Sequence, residues 1–164
     1  MKSATNPIHI RWLIRRDLDR VLQIERASFR NPWTENELVA DLRGKSTVGI
    51  VVEIRDALAA FAIYDLAPAG ILLLKLAVDP AYRKRGVGRR ILCHLIRKLN
   101  GRRRTLRAYV SERNLGAQLF FQRCGFLATS IERGTYGEPD HDAYVMDLTV
   151  AAFGGRFTST MKGS

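Results

Sequence analysis

The sequence predicts a mixed α/β (α+β) fold. Two amphipathic helical stretches open the chain, an antiparallel meander follows them, and a strand, a glycine loop and a helix then come in immediate succession. At 164 residues the chain can bury a core within one domain. That domain is taken as residues 1–150, with a Gly-, Ser- and Thr-rich flexible tail over 151–164.

Residues 9–13 alternate in polarity and read as an opening strand. Asp17 or Asp19 can cap the next helix, whose apolar face is Val21, Leu22, Ile24 and Phe29. Asn31-Pro32-Trp33 breaks it. Thr34 and Glu37 form a capping box that starts a second helix through Leu38, Val39 and Leu42, stopped at Gly44. Strands over 48–54 and 58–64 flank a turn at Arg55, Asp56 and Ala57. Residues 72–78 form an apolar run without Gly or Pro, which suits a strand buried on both faces. Asp79-Pro80 ends it, because proline has no N–H for a ladder. Beyond the basic loop 83–88, Ile91, Leu92, Leu95, Ile96 and Leu99 recur at helical spacing, and Asn100-Gly101 closes that helix. A strand over 105–110, a helix over 115–124 closed by Gly125, and an antiparallel pair over 126–133 and 143–148 complete the domain.

The strand–loop–helix succession turns free backbone N–H groups and the positive end of a helix dipole toward one point. Such a point binds anions, phosphates above all. The charge agrees. The net charge is +11, and residues 80–111 hold eleven Lys or Arg and no Asp or Glu. The Arg102-Arg103-Arg104 run reads as a solvated basic loop or as a contact for RNA or an acidic protein. No nucleic-acid motif or aromatic interleaving supports RNA. No apolar run reaches the roughly 18 residues of a membrane span, and residues 1–8 hold no apolar leader core, so a cytoplasmic location is expected. Cys93 and Cys124 are expected as buried thiols within helices. His9, His94 and His141 have no metal-ligand spacing.

The loop lacks the Gly-Lys-Ser/Thr ending of a P-loop and the three-glycine dinucleotide spacing. Its Arg-x-x-Gly-x-Gly pattern, behind Leu76-Ala77-Val78-Asp79-Pro80, resembles the acetyl-CoA loop of the GNAT acetyltransferase superfamily. Three further stretches resemble the ribosomal-protein-alanine (RimI-like) group, which acetylates protein N-terminal α-amines. They are Ile24-Glu25 with Phe29 and Pro32-Trp33-Thr34-Glu35; Asn114 with Leu115 to Phe121 and Gly125-Phe126; and Arg133 to Tyr136 with Asp142-Ala143. Together they span about residues 9–148.

The resemblance implies a mostly antiparallel sheet with a splayed central parallel strand pair and flanking helices. It implies acetyl-CoA as cosubstrate, no metal, no membrane, and a protein or peptide N-terminus as acceptor, with a ribosomal protein among the options. A small-molecule amine, or a CoA-binding domain with little catalysis, are the alternatives. The implied cofactor-binding residues are Leu76, Ala77, Val78, Arg83, Lys84, Arg85, Gly86, Val87, Gly88, Arg89, Asn114 and Phe121. The Leu76 backbone N–H would polarise the thioester carbonyl. The chain departs from the group at two positions: the group's catalytic Glu is Tyr109 here, and its catalytic Tyr is Phe121. A phenyl ring has no proton to give, and a phenol is a poor base at neutral pH. The remaining acid–base candidates are Tyr109, Glu25, Tyr136, Ser111 and Glu112, with Glu25 first for contact with the amine.

Overall fold

The computed structural model describes residues 7–134 and 142–150. β1 (Ile8–Trp12) leads through a short 3-10 turn, Arg15–Asp17, into α1 (Leu18–Ser28), and α2 (Glu35–Leu42) follows. β2 (Thr47–Ile54) and β3 (Ala57–Leu66) are joined by Arg55 and Asp56, with φ of 51° and 63°. Positive φ at both turn residues matches the twist of the flanking strands. β4 (Gly70–Val78), α3 (Val87–Ile96), β5 (Thr105–Ser111), α4 (Leu115–Arg123), β6 (Leu127–Glu132) and β7 (Ala143–Thr149) come next.

The strands form one sheet in the order β1-β2-β3-β4-β5-β7-β6. Every neighbouring pair is antiparallel except β4 and β5. The expected final pair exists, and β7 sits inside it, between β5 and the edge strand β6. β3 is buried from Leu58 to Tyr64, so it has a core on each face. Phe61 and Ile63 pack with Val21, Leu22 and Ile24 of α1 and Leu38 of α2. Ala60, Ala62 and Tyr64 pack on the other face with Val87, Ile91, Leu92 and Leu95 of α3 and Phe121 of α4.

The capping box is formed: Thr34 Oγ1 accepts from the Glu37 N–H at 3.3 Å, and Glu37 Oε2 accepts from the Thr34 N–H at 2.7 Å. Two expectations shift. α3 ends at Ile96 and does not reach Asn100, because the Lys98 and Leu99 N–H groups bond three residues back, to Leu95 and Ile96 carbonyls. That is the tighter 3-10 pattern of a closing turn. Cys124 is buried as expected, but Cys93 is only half-buried, lying off the Ile91–Leu92–Leu95 stripe of α3.

Asp17 precedes α1 without capping it through its side chain. Its carboxylate is taken by Arg11, which donates Nη1 at 2.7 Å and Nη2 at 2.9 Å, and by the Ile14 N–H at 2.8 Å. Arg11 also donates to Glu53 of β2. One guanidinium therefore ties β1, β2 and the start of α1. The Arg11 hydrogen bonds hold the Asp17 carboxyl below its usual range; burial opposes this, and the Ile14 N–H assists. A depressed folded-state pKa contributes stability that is full above about pH 4 and fades as pH falls through the folded value. Asp17→Asn is expected to cost about 1–3 kcal/mol at neutral pH. Urea titrations between pH 3 and 7 check this: the gap between parent and variant narrows toward acid, and a constant gap contradicts the clamp.

Candidate active site

β4 and β5 pair over only part of their length. The parallel ladder runs from Gly70–Thr105 to Leu73–Ala108 and stops. β4 goes on to Val78 against β3, and β5 goes on to Ser111 against β7. At the parting point, Leu74 is an extra residue in β4: Ile63 of β3 opposes Lys75, while Tyr64 opposes Leu73. The two strand edges beyond it face a cleft of about 620 Å³. Its walls are Leu73 to Leu76, Ala108 to Ser111, residues of the α1–α2 connection, and Asn114, Ala117, Phe120 and Phe121 of the α4 region.

The end of β4 is firmly held. The Asp79 N–H donates to the Ala59 carbonyl at 2.8 Å, its Oδ1 accepts from the Ala81 N–H at 2.8 Å, and its Oδ2 accepts from Arg20 of α1. The phosphate-loop candidate follows. Lys84 and Gly86 have φ of 59° and 78°, and Gly86 is the N-cap of α3. No atom would meet a Cβ at Gly86, so its role is conformational and it leaves open space before the helix start. Gly88 serves packing: a Cβ there would lie 3.1 Å from the Phe120 ring. Arg83 turns back, donating Nε to the Val78 carbonyl at 2.9 Å and Nη2 to Ser28 Oγ at 3.0 Å. Lys84, Arg85 and Arg89 are exposed and Val87 is buried. The first-turn N–H groups of α3 point out of this loop, the arrangement that holds an anion.

The other expected site residues divide between the cleft and its surroundings. Leu76, Tyr109, Ser111, Asn114 and Phe121 line it, whereas Ala77 faces the α1 side of the core. Asn114 caps α4, its Oδ1 accepting from the Ala117 N–H at 3.0 Å. Phe121 is buried edge-on between Phe120 and Phe126, with centroids 5.3 and 5.1 Å away. Glu112 points elsewhere, with Oε1 against the Asp142 N–H. Tyr136 and His141 lie outside the described residues, as does the tail over 151–164. In the basic run, Arg103 donates to the Ala67 and Lys98 carbonyls and Arg104 to the Val150 carbonyl, so both hold backbone.

Glu25 is 2% exposed and does not reach the cleft wall. Its Oε1 accepts from Lys75 Nζ at 2.7 Å and from the Trp33 N–H at 2.9 Å. Its Oε2 is buried without a hydrogen-bond partner among the described residues. Lys75, which lines the cleft, was not among the expected site residues. The available signal was a lone charge inside the apolar run 72–78, which demands a buried partner. Among the described residues, no Asp, Glu or His lines the cleft, and no group of His, Cys, Asp and Glu could hold a metal.

The model of the acetyltransferase (GNAT) family matches residues 18–126. A [ribosomal protein bS18]-alanine N-acetyltransferase of Salmonella typhimurium is 32% identical over 138 residues, covering 82% of this chain and 93% of the relative. The crystal structure of the Escherichia coli ribosomal-protein-S18-alanine N-acetyltransferase superposes with a TM-score of 0.78 at 30% identity, over 90% of this chain and 97% of that one. Arabidopsis thaliana NAA60, solved with acetyl-CoA, shares the fold at 19% identity, with a TM-score of 0.76 over 88% of this chain and all of its own.

The loop assignment has a direct test. Gly86→Glu places an anion in front of α3 and is expected to weaken acetyl-CoA by on the order of a hundredfold. Gly86→Asn tolerates the left-handed conformation and keeps most of the affinity. Calorimetry checks both, and unchanged affinity in a folded Gly86→Glu variant removes the loop from the site.

Proposed function

The chain belongs to the GNAT acetyltransferase family, and we propose that it transfers the acetyl group of acetyl-CoA to the α-amine of a protein N-terminus. The observation that carries this reading is the parting of β4 and β5 beyond Leu73 and Ala108. It leaves a cleft walled by the two strand edges, the α1–α2 connection and the α4 region. Relatives named for the N-terminal alanine of ribosomal protein bS18 support an acceptor with a small first residue. Unpaired Cys93 and Cys124 fit a reducing cytoplasm.

In this reading, Phe121 and the upper strand edges enclose the pantetheine arm. The thioester carbonyl lies against the backbone N–H of Leu76, which stabilises the oxyanion as the amine adds. The N–C bond forms, the C–S bond breaks, CoA leaves as a thiolate, and the proton that the attacking nitrogen sheds as the amide forms passes to that thiolate or to water. A thiol pKa near 8.5 makes that departure easy without a protein acid. The amine must lose a proton, and the cleft wall offers no carboxylate or imidazole among the described residues to take it. An α-amine has an ordinary pKa of about 8, so part of it is neutral at pH 7. Positive charge from Arg30 and Arg113 in the wall favours that neutral form further. Catalysis then rests on positioning and the Leu76 N–H.

Peptides with free N-terminal Ala or Ser, the same peptides blocked at the N-terminus but carrying lysine, and a polyamine separate the acceptors. Transfer to free α-amines is expected, and tight acetyl-CoA binding with no transfer to any amine overturns the proposal. Activity should rise with pH along the amine's own titration. Tyr109→Phe should cost less than about tenfold, and Tyr109→Glu should raise the rate at low pH. A loss on the order of a thousandfold in Tyr109→Phe, with acetyl-CoA binding intact, makes its hydroxyl a catalytic group and contradicts this mechanism.

A further inference from the structure

Lys75 is a cation inside an otherwise apolar strand, and α1 with the segment after it supplies what holds it there. Nζ donates to Glu25 Oε1 at 2.7 Å and lies 4.1 Å from the Phe29 ring centroid and 4.5 Å from that of Trp33. The ammonium thus fills an aromatic cage backed by one carboxylate. Side-chain exposure is 12% for Lys75 and 3% for Glu25. Lys75 is part of the cleft wall and Glu25 is not, so the pair shows its positive end to the cleft.

This charge is separate from that of the phosphate loop. Lys75 stands on the sheet face that carries α1 and α2, whereas α3, which the loop opens, packs on the opposite face. Arg30 lines the same end of the cleft, exposed on the α1–α2 connection. Arg113 adds a third cation at the rim. Neither guanidinium is in an ion pair among the described residues.

We propose that Lys75, with Arg30, is a specificity residue. It selects acceptors that carry an Asp or Glu side chain in the first few residues behind the α-amine, and it disfavours Lys or Arg there. The inference rests on the α-amine reading above. Attraction acts on the acidic side chain in a cleft that has no anion among its described lining residues. Exclusion acts on the basic one: the Phe29–Trp33 cage that could hold it is already occupied, and like charge faces it.

Three peptides beginning Ala-Asp, Ala-Asn and Ala-Lys, identical thereafter, give the test. The expected order of kcat/KM is Asp, Asn, Lys. Asp is about tenfold above Asn, mostly through KM, and the ratio shrinks as salt is added. Arg30→Gln, at an exposed position, lowers the Asp/Asn ratio. Glu25→Gln combined with Lys75→Met removes both buried charges together and brings the ratio near one, with circular dichroism reporting the fold. Equal use of Asp and Asn peptides by the parent enzyme, or preference for Lys, overturns the inference and leaves the α-amine reading standing. Transfer to a polyamine and to no peptide overturns both.

Discussion

The backbone hydrogen bonds between β4 and β5 stop after Leu73 and Ala108, and the site depends on that interruption. A parallel ladder carried to the strand ends would close the cleft and occupy the edge of Leu76. The extra residue Leu74 re-aims β4 at the parting point, and each strand stays ordered because its far edge is paired, β4 with β3 and β5 with β7. Exposed strand edges ordinarily invite foreign pairing. Here Phe120 and Phe121 of the α4 region and Phe29 and Trp33 of the α1–α2 connection border them.

The ion pair between Glu25 and Lys75 is the least expected feature of this frame. Two charges this buried lose more hydration than a surface pair, and breaking one partner leaves the other uncompensated. Glu25 Oε2 has no hydrogen-bond partner among the described residues, so the carboxylate leans on Lys75 and the Trp33 N–H. An apolar pair of similar volume could pack there at no loss of stability. What the charges add is a direction: the carboxylate points inward and the ammonium toward the cleft. The same sign of charge recurs at Arg30 and Arg113 in the cleft wall. Position 109, on the same cleft wall, is Tyr and not a carboxylate.

Local rules made much of this legible. The Thr34–Glu37 box, the turn after β2 and the succession from β4 to α3 are encoded within a few residues and form near where the pattern places them, though Ala57, expected in the turn, already begins β3. Readings failed where pairing or packing, not residue type, decides the partner. Asp17 has the right type for a helix cap, but Arg11 and the Ile14 N–H claim its carboxylate. The packing of Gly88 against Phe120 of α4, which a Cβ would meet, is not written in its neighbouring residues. The insertion of β7 between β5 and β6 follows from pairing that hydropathy does not encode. Glu25 was legible as a residue of the site region, and its burial behind Lys75 was not, because residues fifty positions apart in sequence decide it.

The proposed electrophilic contact is the Leu76 N–H, on the parted edge of β4, against the thioester oxygen. Isotope-edited infrared spectroscopy of acetyl-CoA labelled with carbon-13 at the acetyl carbonyl reads that contact directly. The bound carbonyl band should move to lower frequency than in solution, and it should keep that shift in Tyr109→Phe. A band at the solution frequency with the enzyme saturated contradicts the account, because the carbonyl would then have no donor in the cleft.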